Sequence, residues 1–320
     1  DFVAWKAIEF YSSYDLINSA KEDLLVLNDP LLFGDYKEFL SINFSENDST
    51  FYKVKTLKFY QKLLKMHEGR KTQMPFLSVE SNRLKYINSN GQIDAKEERI
   101  ISSLNTTYNK FKSAAGVEFI AQQLLNNLKD GDEIQRDHAV VICQEMIEQN
   151  KATEYFKVEL TKLQMKGLSI NMETEILPNN PSFAQVNFRN LSDVWFKIAQ
   201  LDKDFDLHKF QSNNDFNALL KQNIVSEFNL MLSEKERLVG RKALIDLPPL
   251  DYGQYVIIAS SSPDFNQKKD KLTGTVFSVT RIQLISNGFD GQFLVVDRET
   301  GRPIGKAKVE IFSQQWEYST

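Results

Sequence analysis

The residues able to do chemistry are few and far apart. The chain holds one cysteine, Cys143, and three histidines, His67, His138 and His208. A zinc site needs such ligands at short, regular spacing, and none of these shares a spacing with another or with a carboxylate pair. No metal site and no cofactor is therefore expected, and each histidine reads as a surface or helix-end residue. Cys143 stands in the apolar series Ala139, Ile142, Cys143, Met146, Ile147. On such a helical stripe a free thiol is buried and inert. A single cysteine rules out an internal disulfide and says little about compartment. There is no G-x-S-x-G elbow, glycine-rich phosphate loop or kinase signature, and Gly240-Arg241-Lys242-Ala243 lacks P-loop spacing. Trp5, Trp195 and Trp316 could line a sugar site, but core packing is the ordinary use of such rings. The sequons at Asn43, Asn47, Asn105 and Asn190 matter only in a glycosylating host. No catalytic, cofactor-binding or metal-ligating residue is assigned, and the chain is not expected to be an enzyme.

Composition points the same way. With 320 residues, 42% hydrophobic and 26% charged, the chain has the make-up of a soluble globular protein of two or three domains. A net charge of -4 argues against a nucleic-acid binder, which would carry a basic face. No apolar run approaches the ~18 residues of a membrane span. The chain opens at Asp1 with neither initiator Met nor signal segment, and is expected to be a processed or excised piece.

The elements that would position any site fall into two regimes. The first half is helical. Phe2 to Tyr11 has the density of a core-facing helix, and Asn28-Asp29-Pro30 ends that region. Val54, Leu57, Leu64, Phe59, Leu63 and Met66 predict a helix over Tyr52 to His67. Asn88-Ser89-Asn90-Gly91 reads as a turn, followed by Asp94 as an N-cap with Glu97 reaching back and a helix towards Phe111. Val117, Ile120, Ala121, Leu124, Leu125 and Leu128 repeat at helical spacing, as does the Cys143 stripe. Tyr155, Phe156, Leu160 and Leu163 define one more helix, with Gly167 as its stop. Helices joined by short polar turns imply stacked antiparallel hairpins of the tetratricopeptide (TPR) kind, although the repeat's own landmarks are mostly missing.

After Gly167 the period changes. Leu168 to Ile176, Ala184 to Asn190 and Val194 to Ala199 alternate, with turn signals between them, as in an antiparallel sandwich. Phe216, Leu219, Leu220, Ile224, Phe228 and Leu232 read as a helical insertion over about 205–242. Gly253 to Ile258 and Val276 to Leu284 are the next strands, and Asn287-Gly288 with Asp290-Gly291 turns a hairpin. Its second strand is the apolar run Phe293-Leu294-Val295-Val296. A polar turn follows, Asp297-Arg298-Glu299-Thr300-Gly301-Arg302-Pro303-Ile304. Gly301 can take a positive φ, and Pro303 fixes its own. Ala307, Val309 and Ile311 then face one way and Lys306, Lys308 and Glu310 the other, the pattern of a half-buried strand. The expected fold class is α+β and multidomain: an all-α helical-hairpin (TPR-like) layer over 1–166, an antiparallel β-sandwich over 167–277, and the first strands of a second, incomplete sandwich over 278–320.

Three segments carry a family resemblance. D-R-E-T-G-R-P-I followed by A-x-V-x-I resembles the strand-turn-strand of macroglobulin-type sandwich domains in bacterial alpha-2-macroglobulin-like proteins. Leu250 to Ser261 resembles the L-x-x-G-x-Y strand that closes the preceding macroglobulin domain, and Phe277-Ser278-Val279-Thr280 the crossing into the next. The turn alone also occurs in carboxypeptidase-regulatory-like and other prealbumin-like sandwiches; the three in order behind a helical region are more specific. One departure is that glycine, often placed just before the second strand's alanine or valine, here stands earlier, at Gly305. The resemblance, closest to the Bacteroidota type, implies the helical region and first macroglobulin (MG2-like) domain of an endopeptidase inhibitor. It implies a bacterial envelope or periplasmic location with a lipoprotein anchor outside this segment, and proteases and neighbouring domains as partners. It also implies a test of Cys143, because the family often holds a Cys–Gln thioester in C-x-E-Q, far downstream of the first sandwiches. Cys143-Gln144-Glu145-Met146 puts Met146 where the bonding glutamine would be, so no thioester is expected. Two other classes remain open: an envelope adhesin or ligand-binding receptor, and a hydrolase without a recognisable motif.

Overall fold

The computed structural model describes residues 1–18, 22–45, 47, 50–205, 215–232, 237–287 and 292–310. They form two compact units, Asp1–Gln164 and Met165–Thr320. The fold is α+β, with helices confined almost wholly to the first unit and a β-sandwich in the second.

The helical unit comprises α1 (Phe2–Tyr11), α2 (Tyr14–Ile17), α3 (Tyr36–Ser41), α4 (Tyr52–His67), α5 (Met74–Asn90), α6 (Lys96–Lys110), α7 (Val117–Leu128), α8 (Glu133–Glu148) and α9 (Thr153–Gln164). From α4 onward each helix packs on the next, and α5 also packs on α7, the contact pattern of stacked hairpins. The whole α7 stripe, from Val117 to Leu128, is buried, as are Ala139, Ile142, Cys143 and Met146 of α8. Asp132 starts α8 with a reciprocal capping box: its carboxylate accepts from the Gln135 N–H at 2.9 Å, and Gln135 Oε1 accepts from the Asp132 N–H at 3.1 Å. Helix α4 has no such local cap. Its first N–H groups, on Tyr52 and Lys53, donate at 2.6 and 3.0 Å to the carboxylate of the fully buried Glu22, thirty residues upstream. Arg83 on α5 is fully buried too. It donates to Glu80 Oε1 at 2.6 Å and to the carbonyls of Leu32 and Gly34 at 2.8 and 2.9 Å, and its guanidinium lies over Phe39.

Two expectations fail here. Asn88-Ser89-Asn90 is not a turn but the last turn of α5, a helix the sequence pattern did not reveal. Asp94 does not cap α6. The N-cap is Ala95, in a left-handed conformation (φ 55°), and Lys96 Nζ reaches back to the Asn88 carbonyl at 2.9 Å instead.

The second unit packs two sheets. One has the order β1-β3-β6 and the other β2-β8-β7-β4-β5. The strands are β1 (Gly167–Met172), β2 (Glu175–Ile176), β3 (Ser182–Arg189), β4 (Asp193–Gln200), β5 (Asn223–Met231), β6 (Arg241–Leu247), β7 (Gly253–Ser260) and β8 (Leu272–Val279). All pairs are antiparallel except β2 with β8. Leu168, Val186 and Phe188 of one sheet meet Val194, Phe196, Ile257 and Phe277 of the other in the sandwich core. The opposite face of the larger sheet is also covered: Ala199, Val256 and Ile258 pack with Leu219 of the short helix α10 (Phe216–Leu220). Strand β7 is therefore buried on both faces and reads as an unbroken apolar run. Beyond the sandwich, β9 (Ile282–Asn287) and β10 (Gln292–Asp297) pair as an antiparallel ribbon.

The strand expectations need four corrections. The helical insertion over 205–242 is wrong: after α10 the chain runs as β5, in which Phe228 and Leu230 pack into the sandwich core and, past a register shift, Ile224 packs on the opposite face with Ala199 and Leu219. Residues 206–214 and 233–236 lie outside the described residues. Gly167 opens β1 rather than stopping a helix, and the run to Ile176 is two strands in different sheets. The strand expected over Val276 to Leu284 breaks at Thr280-Arg281 into β8 and β9. Finally, Ala307 and Val309 are exposed and join no ladder; Pro303 bridges Val296 instead, and Ile311 lies outside the described residues.

Candidate functional site

The D-R-E-T-G-R-P turn is built by its own side chains. Asp297 Oδ1 accepts from the N–H groups of Glu299 (3.1 Å) and Thr300 (2.9 Å) and from the Thr300 hydroxyl (2.9 Å). The Gly301 N–H donates to the Asp297 carbonyl at 2.8 Å, which Gly301 reaches at φ +69°. That left-handed conformation is the one glycine adopts without a steric penalty. The Thr300 N–H, then its hydroxyl, then Arg281 nearby hold the Asp297 carboxyl below the usual range.

Two arginines fasten this turn. Arg281, in the crossing from β8 to β9, donates to Asp297 Oδ2 at 3.1 Å and pairs with Glu299 at 2.8 Å. Arg298 reaches out of the ribbon. Its guanidinium donates to the Glu175 carbonyl, and lies 3.5 Å from the Glu175 carboxylate and 3.3 Å from that of Glu173. Its own N–H donates to the Arg281 carbonyl at 2.7 Å. The other side of the same segment is held by β8, where the Ser278 and Thr280 N–H groups donate to the carbonyls of Thr174 and Ile176, each at 2.8 Å. Residues 173–176 are thus clamped between a sandwich strand and the turn motif.

The L-x-x-G-x-Y segment shapes the adjoining end of the larger sheet. Leu250 and Tyr255 enter the core, Tyr255 stacking on Phe277 with ring centroids 5.7 Å apart. The Tyr255 hydroxyl donates to the Asp251 carbonyl at 3.0 Å, tying the strand's start to its middle. Gly253 lies against Gln200, whose amide nitrogen is only 2.9 Å from where a Cβ would stand. An open cleft of about 740 Å³ lies here, lined by Glu175, Lys203, Tyr252 and Thr280 and walled by Ile282 and Leu284 of β9. Its lining offers hydrogen-bonding groups and apolar contact side by side.

The singled-out reactive residues lie elsewhere. Cys143 is fully buried, and burial, then Glu159, push its thiol up to about 12. Met146, at the place of the thioester glutamine, is buried beside it. Glu145 accepts from the Tyr108 hydroxyl at 2.6 Å and from Lys112 at 2.5 Å. Burial pushes its carboxyl up, but these two donors outweigh that and hold it low. His67 is buried against Asp1, with Nε2 3.2 Å from its carboxylate, and burial lowers its pKa; burial lowers that of His138 too. His208 and Trp316 lie outside the described residues. Trp5 packs edge-on against Tyr60 at 6.3 Å, and Trp195 is half-buried on β4. Among the described residues no group of three or more His, Cys, Asp or Glu could hold a metal ion. No described helix is long and apolar enough to cross a membrane.

No protein-family model matches the chain, and no curated protein matches it. Solved structures do. One is native alpha-2-macroglobulin from Escherichia coli, spanning its domains MG0-NIE-MG1: 15% identity over 43% of this chain and 47% of that one, at a TM-score of 0.32. The match thus spans about half of that fragment. Another is the CARDB domain of a Pyrococcus furiosus protein, solved in complex with di-metal ions: 12% identity over 36% of this chain and 94% of that one, at a TM-score of 0.22.

Proposed function

We propose that this chain is a non-catalytic scaffold and binding region of a protease-trapping protein of the bacterial alpha-2-macroglobulin type. The observation that carries the reading is the clamp made by Arg298. The turn motif that resembles the family does more than reverse the chain. It grips residues 173–176 at the sandwich's edge and so couples the sandwich to the next β-element at a fixed joint. A protein that rearranges domains around a captured protease needs such joints, stiff within a domain and defined between domains. The ribbon supports the same reading. Ile282 and Leu284 on one face and Ile285 and Leu294 on the other are exposed, as suits a seam that further strands or a neighbouring domain would cover. In this reading the parent protein is held in the cell envelope by an anchor outside this segment. Proteases are its targets, and the segment itself performs no chemistry.

The test is made on the full-length parent. It is incubated with a panel of proteases, and cleavage is followed by gel and compaction by small-angle scattering. Cleavage at a single bait segment, with compaction and retained protease, is the expected result. Indiscriminate degradation or free release of the protease would overturn the trap reading, and the sandwich and helical layer would then suit an envelope receptor.

A further inference from the structure

The helical unit holds a second concavity, a groove of about 420 Å³ between α5 and α7. Its lining is unusual in chemistry: Asn82, Lys85 and Asn88 come from α5, and Gln122, Asn126 and Asn127 from α7, with no aspartate or glutamate among the lining residues. The floor is apolar, made by the half-buried Phe119 and the buried Ile100. The groove is pinned from below. Gln123 Nε2 donates to the Ser81 carbonyl at 2.6 Å, and the Ser81 hydroxyl to the Phe119 carbonyl at 3.2 Å, so α5 and α7 cannot slide.

The carboxamides above that floor are only partly used. Asn82 and Asn127 spend an N–H on the carbonyl one turn back in their own helices, at 2.8 Å each, which leaves their oxygens open. Among the described residues Asn126 has only a long contact, 3.5 Å, from the Tyr155 hydroxyl to its oxygen. Among the described residues the side chains of Asn88 and Gln122 have no hydrogen-bond partner, and Lys85 makes no ion pair. Such an array offers donors and acceptors together, which is what a peptide unit requires. The spacing fits as well. In an extended chain the N–H and C=O of every second residue face the same side, a repeat of about 6.6–6.8 Å. Positions four apart on a helix rise about 6 Å, so Gln122 and Asn126 stand at nearly that repeat.

We propose that the α5–α7 groove binds an extended polypeptide segment through its main chain, with an acidic side chain of that segment seated on Lys85. Rows of carboxamides read the backbone and tolerate many sequences; the lysine adds one preference. The site would give the helical layer a partner of its own, and the inference stands whether or not the parent is a protease trap.

The test uses the 320-residue chain and an array of random acetylated octapeptides, each with glutamate at one fixed position. Saturable binding is expected, at least tenfold weaker for peptides N-methylated at alternate residues and for the Asn88→Ala, Gln122→Ala double variant. Lys85→Glu should switch the preference at the fixed position from glutamate to lysine. That charge reversal sits at an exposed side chain and leaves the fold intact, as a melting curve will verify. Absence of peptide binding, binding indifferent to these substitutions, or binding of neutral glycans in place of peptides would each overturn the proposal.

Discussion

At the scale of single residues, charge is used to fix backbone. Arg83 is buried with Glu80 and with two loop carbonyls, so it ties the loop before α3 to α5. Removing one member of a buried pair leaves the other charged and unpartnered, which costs about 3–5 kcal/mol. Arg83→Ala should therefore lower the urea midpoint of the helical unit sharply, and adding Glu80→Leu should restore part of the loss. A midpoint unchanged by Arg83→Ala would show the pair to be energetically idle. Asp297 makes a pH prediction. Its native pKa is depressed by the Thr300 N–H and hydroxyl, so its contribution to the turn is complete above the ordinary aspartate value of about 3.9. It is lost only as pH falls through the lower native value. The amide proton resonances of Thr300 and Gly301 should titrate with a midpoint below about 3.9. A midpoint at or above that value would mean the carboxylate is not held by the turn.

At the scale of elements, the joint between sandwich and ribbon is the part most open to test. Hydrogen bonds from a charged group contribute about 1.5–3 kcal/mol each. Arg298→Ala should thus speed hydrogen exchange in β9 and β10 by roughly tenfold or more while leaving β7 unaffected, since about 1.4 kcal/mol is a factor of ten. Equal acceleration in β7 would mean general destabilisation instead. Much at this scale was legible in the sequence. The apolar repeats of α7 and α8, the alternation of β3 and β4, and the positive φ of Gly301 all follow from local pattern. The misreadings have local causes too. Ile224, Phe228 and Leu232 are four apart, a step that reads as helical, whereas the chain is a strand whose register shift sends Ile224 to one face and Phe228 to the other, which no local spacing signals. Helix α5 was hidden because its buried face includes Glu80, Ser81 and Arg83, polar residues satisfied by each other, by α7 and by the loop carbonyls of Leu32 and Gly34, none of which an apolar pattern signals. The candidate joint was half legible. Asp297, Thr300, Gly301 and Pro303 announce a turn, but nothing near Arg298 reveals that its partners lie 123 residues upstream.

At the scale of the whole molecule, each unit owns a core, one formed by α1 to α9 and one between the two sheets. Segments 1–164 and 165–320 expressed apart should each fold, the first with a helical and the second with a sheet far-UV circular dichroism spectrum. An unstructured 1–164 would show that its core needs the sandwich. Inside the helical unit, the Glu22 carboxylate that serves the start of α4 has a consequence for the order of events in folding. A helix with a cap of its own can begin as soon as its residues leave the denatured chain. The first turn of α4 is therefore expected to close together with the segment that carries Glu22, late and as one step. The reverse path is expected to open there first. The amides of Tyr52 and Lys53 should exchange in concert with those of residues 22–27, well before the amides of α7, which makes this clasp the gate through which the native state unravels.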